Sequence, residues 1–396
     1  MYPAEHFQLP PRYHQPLVAW QKKNFPDYAL LQKYWAKHFP GSPCTELCVK
    51  LAPLKSSKIE VGRYYGHDKL AHASEMKGNM LYSALRIIKA QCSTELGSIQ
   101  QHAGSVDAIE NDYHRFSVLR IMAEELRHAY QMFWVLSHDA SWSEGGIKNL
   151  GDATLDELLA MHTGTHVLDA FNIPFSDPLD NIVFAVFIDR VGRHHLSMQK
   201  VFAYAPMARS MEPMLDEEHF HLTTGMSQLC EVVRLGAQGK GNWSLAEIQR
   251  RLNAWYPRGL EMFGNPEAGE TNIAFGFKNQ MNRTSSHAYM QELMLVMQRL
   301  NKIIASELNI QYAAHDEDAP QAPAAPFLHL PHEWFFRMRS PVPAAYQPID
   351  VSGQRLGVTE FFRHLQDVLP SCMLGTGFFM HYQQQFAQTH GIGTPL

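Results

Sequence analysis

The chain has 396 residues, 45% of them apolar and 18% charged, which makes it globular and long enough for one large domain or two smaller ones. A formal net charge of −5 gives no electrostatic reason to expect nucleic acid as a partner. The five cysteines, Cys44, Cys48, Cys92, Cys230 and Cys372, form neither a zinc nor a disulfide framework, and no run approaches a membrane span or a signal region, so a cytoplasmic location without membrane association is expected.

Residues 1–75 read as an N-terminal extension of short helices and loops. Proline and aromatic residues recur there, in Leu9-Pro-Pro-Arg12, Phe39-Pro-Gly-Ser-Pro43 and Arg63-Tyr-Tyr-Gly-His67. Residues 76–312 are expected to form a helical bundle. Up to about residue 230 its long helical patterns are broken at Gly104, over Ser137–Gly146 and over Asn172–Pro178. Ser176 or Asp177 is placed to cap the next helix, with Pro178 at its first position. Further helices are expected over Ser244–Met262, where Ser244 and Glu247 make a capping box, and over Ser286–Leu308. Residues 313–396 read as an extended Pro and Ala linker, Asp316–Pro326, followed by an irregular aromatic and Pro-rich cap.

The chemistry lies in the middle region. Glu125 with His128 and Glu218 with His221 are two Glu-x-x-His pairs, each preceded by a carboxylate: Glu95 stands 30 residues before Glu125, and Asp189 stands 29 before Glu218. An i, i+3 spacing puts a carboxylate and an imidazole on one helix face, and four such faces can converge in a bundle core. One such pair arises easily by chance and charged residues usually face solvent, but two copies with matched upstream carboxylates are far less accidental. Their apolar settings, such as Ile182–Ile188 before Asp189, imply burial, and buried charge needs a metal or a partner. Four carboxylates and two histidines suit two iron ions better than zinc.

Neighbouring residues extend the site. Glu124 and Glu217, each immediately before a ligating Glu, are candidates to accept the second ring N–H of a ligating histidine from the other module, Glu124 for His221 and Glu217 for His128. Arg127 counters local negative charge. Gln91, one turn before Glu95, shares its face and is either a satisfied core amide or a group reaching the open coordination positions. Glu95, Glu125, Glu218 and Gln91 are thus the candidate catalytic residues. Leu126, Phe184, Phe187 and Phe220 would wall the centre or simply fill the core.

These motifs resemble a known family. The Glu-Glu-x-Arg-His pattern, Ala170–Pro174, Phe187–Arg193, Pro206–His221, Ile248–Tyr256 and Leu260–Gly264, with a faint echo over Pro331–Pro348, are similar to the oxygenase components of benzoyl-CoA 2,3-epoxidase, within the wider group of phenylacetyl-CoA epoxidases. The likeness covers about two-thirds of the chain. It implies an all-α, ferritin-like four-helix bundle with N- and C-terminal extensions. It also implies a di-iron monooxygenase that uses O2 to epoxidise the ring of an aryl-CoA substrate. Two electrons must come from outside, since no dinucleotide fingerprint or iron–sulfur cysteine pattern is present, and the resemblance implies an NADPH-dependent flavin and iron–sulfur reductase as partner. Arg190, Arg193 and Lys200 are candidate contacts for the CoA phosphates. Val191 stands where the family tends to have an acid, and the C-terminal region is composed differently. Another aromatic acid, a carrier-bound acid or an arylamine therefore stays open as substrate, with hydroxylation or N-oxygenation as the reaction. A ferritin-type store fits poorly with so long a chain. Tyr130 is wrongly spaced for a radical-generating subunit, and a degenerate scaffold would have lost ligands.

Overall fold

The computed structural model describes residues 5–41, 47–144, 146–148, 150–175, 177–312, 326–337 and 347–390. Cys44, Pro43, Gly145, Ser176 and the linker expected from Asp316 through residue 325 lie outside them. In chain order the elements are β1 (Glu5–Phe7), α1 (Pro11–Asn24), α2 (Tyr28–His38), β2 (Val49–Leu51), α3 (Asn79–Ala103), α4 (Asp112–Ser137), β3 (Ser143–Glu144), β4 (Ile147–Lys148) and α5 (Leu150–Leu159). They continue with α6 (Pro178–Gln199), α7 (Ala205–Ala237), α8 (Leu245–Met262), α9 (Glu270–Ala274), α10 (Asn282–Leu308), α11 (Val358–Val368), α12 (Ser371–Leu374) and α13 (Gly377–His390). The fold is all-α and of the ferritin-like kind expected; among the described residues the strands form two antiparallel pairs, β1 with β2 and β3 with β4. Among the described residues no helix is long and apolar enough to cross a membrane.

The chain divides into two compact units. The first comprises Met1–Pro178, Gly192–Phe220 and Gly269–Met281; the second comprises Leu179–Val191, His221–Ala268 and Asn282–Leu396. In the first, α3 and α4 pack together extensively, and they run antiparallel, since Cys92 Sγ reaches the carbonyl of Ala129 while Ser98 meets Glu125. Asn111 caps α4 by accepting the amides of Tyr113 and His114 at 2.9 and 3.1 Å. The N-terminal extension is stapled to α4 by Tyr130, whose buried hydroxyl accepts the amide of Leu9 at 2.6 Å and meets His14 Nδ1 at 2.9 Å.

Pro213 lies inside α7 without breaking it. A proline has no N–H to offer the carbonyl four residues back, which is that of Arg209. That carbonyl instead accepts the amide of Ala52 at 3.0 Å, and Arg209 Nε donates back to the carbonyl of Ala52 at 3.0 Å. The segment after β2 thereby satisfies the group that the proline frees.

In the second unit, α8 begins as expected, with Ser244 and Glu247 closing a capping box. Helix α10 starts at Asn282, four residues before the expected Ser286, whose hydroxyl bonds back to the carbonyl of Arg283 instead of capping. The C-terminal region is more regular than the irregular cap expected from its composition. Its prolines cluster before Val358, and beyond them Phe361, Phe362 and Leu365 give α11 one buried apolar face, which packs on α8. Asn253 Nδ2 donates to the carbonyl of Val368 at 3.0 Å and closes the C-terminal end of α11.

Helices α6 and α7 approach closely at Gly225, where an added Cβ would lie 2.7 Å from Ala185 Cβ. Gly225→Ala is expected to destabilise the protein by about 1–3 kcal/mol through overpacking, outweighing the helix propensity it gains. Adding Ala185→Gly should recover most of the loss in thermal midpoint. An undiminished midpoint in the single variant would show that the contact is loose.

Candidate metal centre

Four long helices carry the six candidate ligands: Glu95 on α3, Glu125 and His128 on α4, Asp189 on α6, Glu218 and His221 on α7. All six are buried, and both imidazoles are fully inaccessible. Length and register explain the positions. Each helix runs several turns past its ligand in both directions, so backbone hydrogen bonding is complete where the charged side chains sit.

In the first unit, His128 Nδ1 lies 3.5 Å from Glu95 Oε2 and 3.8 Å from Glu218 Oε1. In the second, His221 Nδ1 lies 3.8 Å from Asp189 Oδ2. These separations are too long for hydrogen bonds. They suit two ligands of one small divalent ion, which at bond lengths of about 2.1 Å holds its donors roughly 3–4 Å apart. Hard carboxylate oxygens with borderline imidazole nitrogens and no thiolate fit iron or manganese.

The carboxylates are held from outside. Gln91 Nε2 donates to Glu95 Oε1, so its amide orients that carboxylate from one turn away. Ser98 Oγ donates to Glu125 Oε2 and also reaches the carbonyl of Glu95 at 2.9 Å. Sequence reading missed Ser98. Its register, three residues after Glu95 and on the same face, was the available signal.

Glu217 holds His128 as expected: its Oε2 lies 3.0 Å from Nε2 of the ring. That bond keeps Nε2 protonated and turns Nδ1 toward Glu95 and Glu218, where it would give up its proton to bind an ion. Burial works against a charged ring, yet the bond to Glu217 and the nearby Glu95 pull the His128 pKa up to about 9. Glu217 is itself gripped by Arg127, whose Nε donates to its two oxygens at 2.7 and 2.6 Å, and by Lys50 Nζ at 2.5 Å. Although burial alone would raise it, Arg127 first, then His128 and Lys50, keep the Glu217 carboxyl well below the usual range. Lys50 comes from β2, whose backbone amide donates to Gln131 Oε1 at 2.9 Å. No local pattern around Lys50 announces this role. Glu124 is buried and accepts Arg120 Nε at 2.8 Å.

Other candidates are placed as follows. Leu126, Phe184 and Phe187 are fully buried, and Phe184 meets Trp255 edge to face at 5.3 Å. Phe220 lies under the Arg120 guanidinium, 3.5 Å from ring centroid to carbon, in a half-buried position. Of the candidate phosphate contacts, Arg190 pairs with Glu292 at 2.7 Å and Lys200 with Glu212 at 3.0 Å, so either must exchange a partner to bind an anion; Arg193 is half-buried on α6. Tyr130 turns its hydroxyl to the N-terminal extension.

Residues 149–316 match the family described as phenylacetic acid catabolic protein. That stretch contains Asp189, Glu218 and His221 but not the first module. The chain is also similar to benzoyl-CoA oxygenase component B of Aromatoleum evansii, at 28% identity over 229 residues, which is 54% of this chain and 47% of the relative. It therefore spans about half the length of the curated relative it matches.

Proposed function

We propose that this chain is the oxygenase component of a cytoplasmic two-protein monooxygenase, in which Glu95, Glu125, His128, Asp189, Glu218 and His221 hold two iron ions and an aryl-CoA of the benzoyl-CoA kind is epoxidised on its ring. The observation that carries this reading is the doubled register of α3 with α4 and α6 with α7. In each pair a carboxylate stands beside the imidazole of the facing helix at 3.5–3.8 Å. The similarity to benzoyl-CoA oxygenase component B supports the substrate class.

A carboxylate-held iron pair supplies the capacity to activate dioxygen with two electrons delivered from a separate reductase. The chain's own residues set the conditions for that chemistry. Glu217 fixes the tautomer of His128 through Nε2, so that Nδ1 is the donor atom. Gln91 and Ser98 orient the carboxylates of Glu95 and Glu125 before any ion arrives, which lowers the reorganisation needed on binding. Glu124, already held by Arg120, would serve His221 as Glu217 serves His128. Buried Leu126, Phe184 and Phe187 exclude bulk water from the ligand helices.

The test is turnover. Iron-loaded protein, an NADPH-dependent flavin and iron–sulfur reductase, oxygen and benzoyl-CoA should give a product heavier by one oxygen atom, with label incorporated from 18O2. Oxygenation of free aromatic acids or arylamines, with none of any thioester, would overturn the aryl-CoA reading and leave the iron centre standing.

A further inference from the structure

The interior of the second unit holds two guanidiniums with more N–H groups than their neighbours take up. Arg258 on α8 is fully inaccessible, and Arg337, in the stretch 326–337 ahead of α11, is only 6% exposed. Both approach one carboxylate: Arg258 Nη2 donates to Glu261 Oε1 at 3.0 Å, and Arg337 Nε stands 3.9 Å from the same oxygen. Arg258 Nη2 also donates to the carbonyl of Phe336, and Arg337 Nη1 to that of Glu333 at 3.1 Å. Among the described residues, Nε and Nη1 of Arg258 and Nε of Arg337 are buried without an acceptor.

The surrounding rings do not fill that need. Phe336 and Phe378 lie against the Arg258 guanidinium, with its central carbon 4.7 and 5.6 Å from their centroids, and Trp334 lies 5.6 Å from that of Arg337. Such contacts attract the cation but accept none of its in-plane N–H groups. The backbone is strained at the same place. Phe336 has φ 49°, a left-handed conformation that is unfavourable for a bulky residue. Its carbonyl meets Arg258, and the next residue carries the second guanidinium to the carboxylate that Arg258 already holds. Burial lowers the Arg337 pKa, Glu261 opposes that and Arg258 adds to it. Strain, like-charge repulsion and unmade hydrogen bonds all count against stability, and apolar side chains would avoid them.

We propose that Arg258 and Arg337 form an enclosed binding site for a small oxyanion, a carboxylate or phosphate group that bridges the two guanidiniums. Such a group carries several acceptor oxygens on one centre, so it can take charge-assisted hydrogen bonds from both side chains. Its negative charge offsets their repulsion. Once bound, it ties the stretch around Phe336 to α8. None of the candidate metal ligands takes part.

The experiment is a stability titration. Wild type is dialysed into a zwitterionic buffer containing sodium chloride, and its thermal midpoint is followed against inorganic phosphate and, separately, sodium acetate at constant ionic strength. Long incubation at each concentration allows for the enclosure of the site. At least one of the two anions should raise the midpoint along a saturable curve; a response to phosphate alone assigns a phosphate ligand, and a response to acetate alone a carboxylate. Arg258→Met and Arg337→Met should each weaken the apparent affinity about tenfold or more. Arg337→Lys keeps the charge without the planar fork and should retain a weaker response. Should Arg258→Met not fold, the wild-type curve and the Arg337 variants carry the test. A midpoint that neither anion moves beyond the chloride control, or a saturable rise left unchanged in both Arg337 variants, would overturn the proposal.

Discussion

Glu125→Ala and His221→Ala are each expected to abolish oxygenation and to lower bound iron from about two ions per chain toward none, with the fold retained. The sign of the stability change is part of the expectation. Glu95, Glu125 and Glu218 are three buried carboxylates of the first unit, whose mutual repulsion in the metal-free protein protons or cations would offset. Removing one relieves that repulsion, and Ser98, losing Glu125, keeps the carbonyl of Glu95 as acceptor at 2.9 Å. Metal-free Glu125→Ala should therefore melt no lower than the metal-free wild type. The wild type should gain about 4 kcal/mol for each bound ion when free iron exceeds the dissociation constant a thousandfold, and the variant should gain almost nothing. Calorimetry with and without iron reads both quantities. An iron-dependent rise in the variant equal to that of the wild type would remove Glu125 from the ligand set.

The second large effect is expected at Glu217, which binds no ion in this account. It gathers Arg127, Lys50 and the Nε2 of His128, and its side chain is only 13% exposed. Glu217→Leu leaves a buried guanidinium without its carboxylate, a loss of the kind that costs about 3–5 kcal/mol. It also releases the tautomer of His128, which should weaken iron binding by about 10–100-fold. Glu217→Gln keeps the shape and an acceptor oxygen and should lose less of both. Adding Arg127→Leu to Glu217→Leu should restore part of the stability, since the pair is then replaced by apolar groups, but none of the iron affinity. Urea titration and iron titration separate the two effects. Full iron affinity in Glu217→Leu would mean that His128 is oriented by something else.

The ligand helices were legible because they obey period and register: two i, i+3 pairs and their upstream carboxylates fall on α3, α4, α6 and α7 with breaks where glycine and proline stand. The capping box at Ser244 was legible for the same reason, being a local pattern with a local cause. Glu217 beside His128 followed from helix geometry. Lys50 did not, because it reaches Glu217 from a short strand far away in sequence, and only the paired chain shows that contact. Ser98 was within reach of the register argument, but a serine inside a helix carries no sign of its acceptor. The C-terminal helices were obscured by averaging: prolines before Val358 dominated the composition of a region whose last part is an ordinary amphipathic sequence. Pro213 could equally suggest a helix break, and its tolerance depends on Ala52 taking the freed carbonyl of Arg209.

The most direct test of the iron centre is a count of metal on the purified chain after anaerobic loading with iron, with manganese and zinc offered in competition. About two irons per chain, lost together in His128→Ala and in His221→Ala, is the expected result. A folded wild-type chain that retains zinc in preference, or holds no metal at all, would contradict the account at its base.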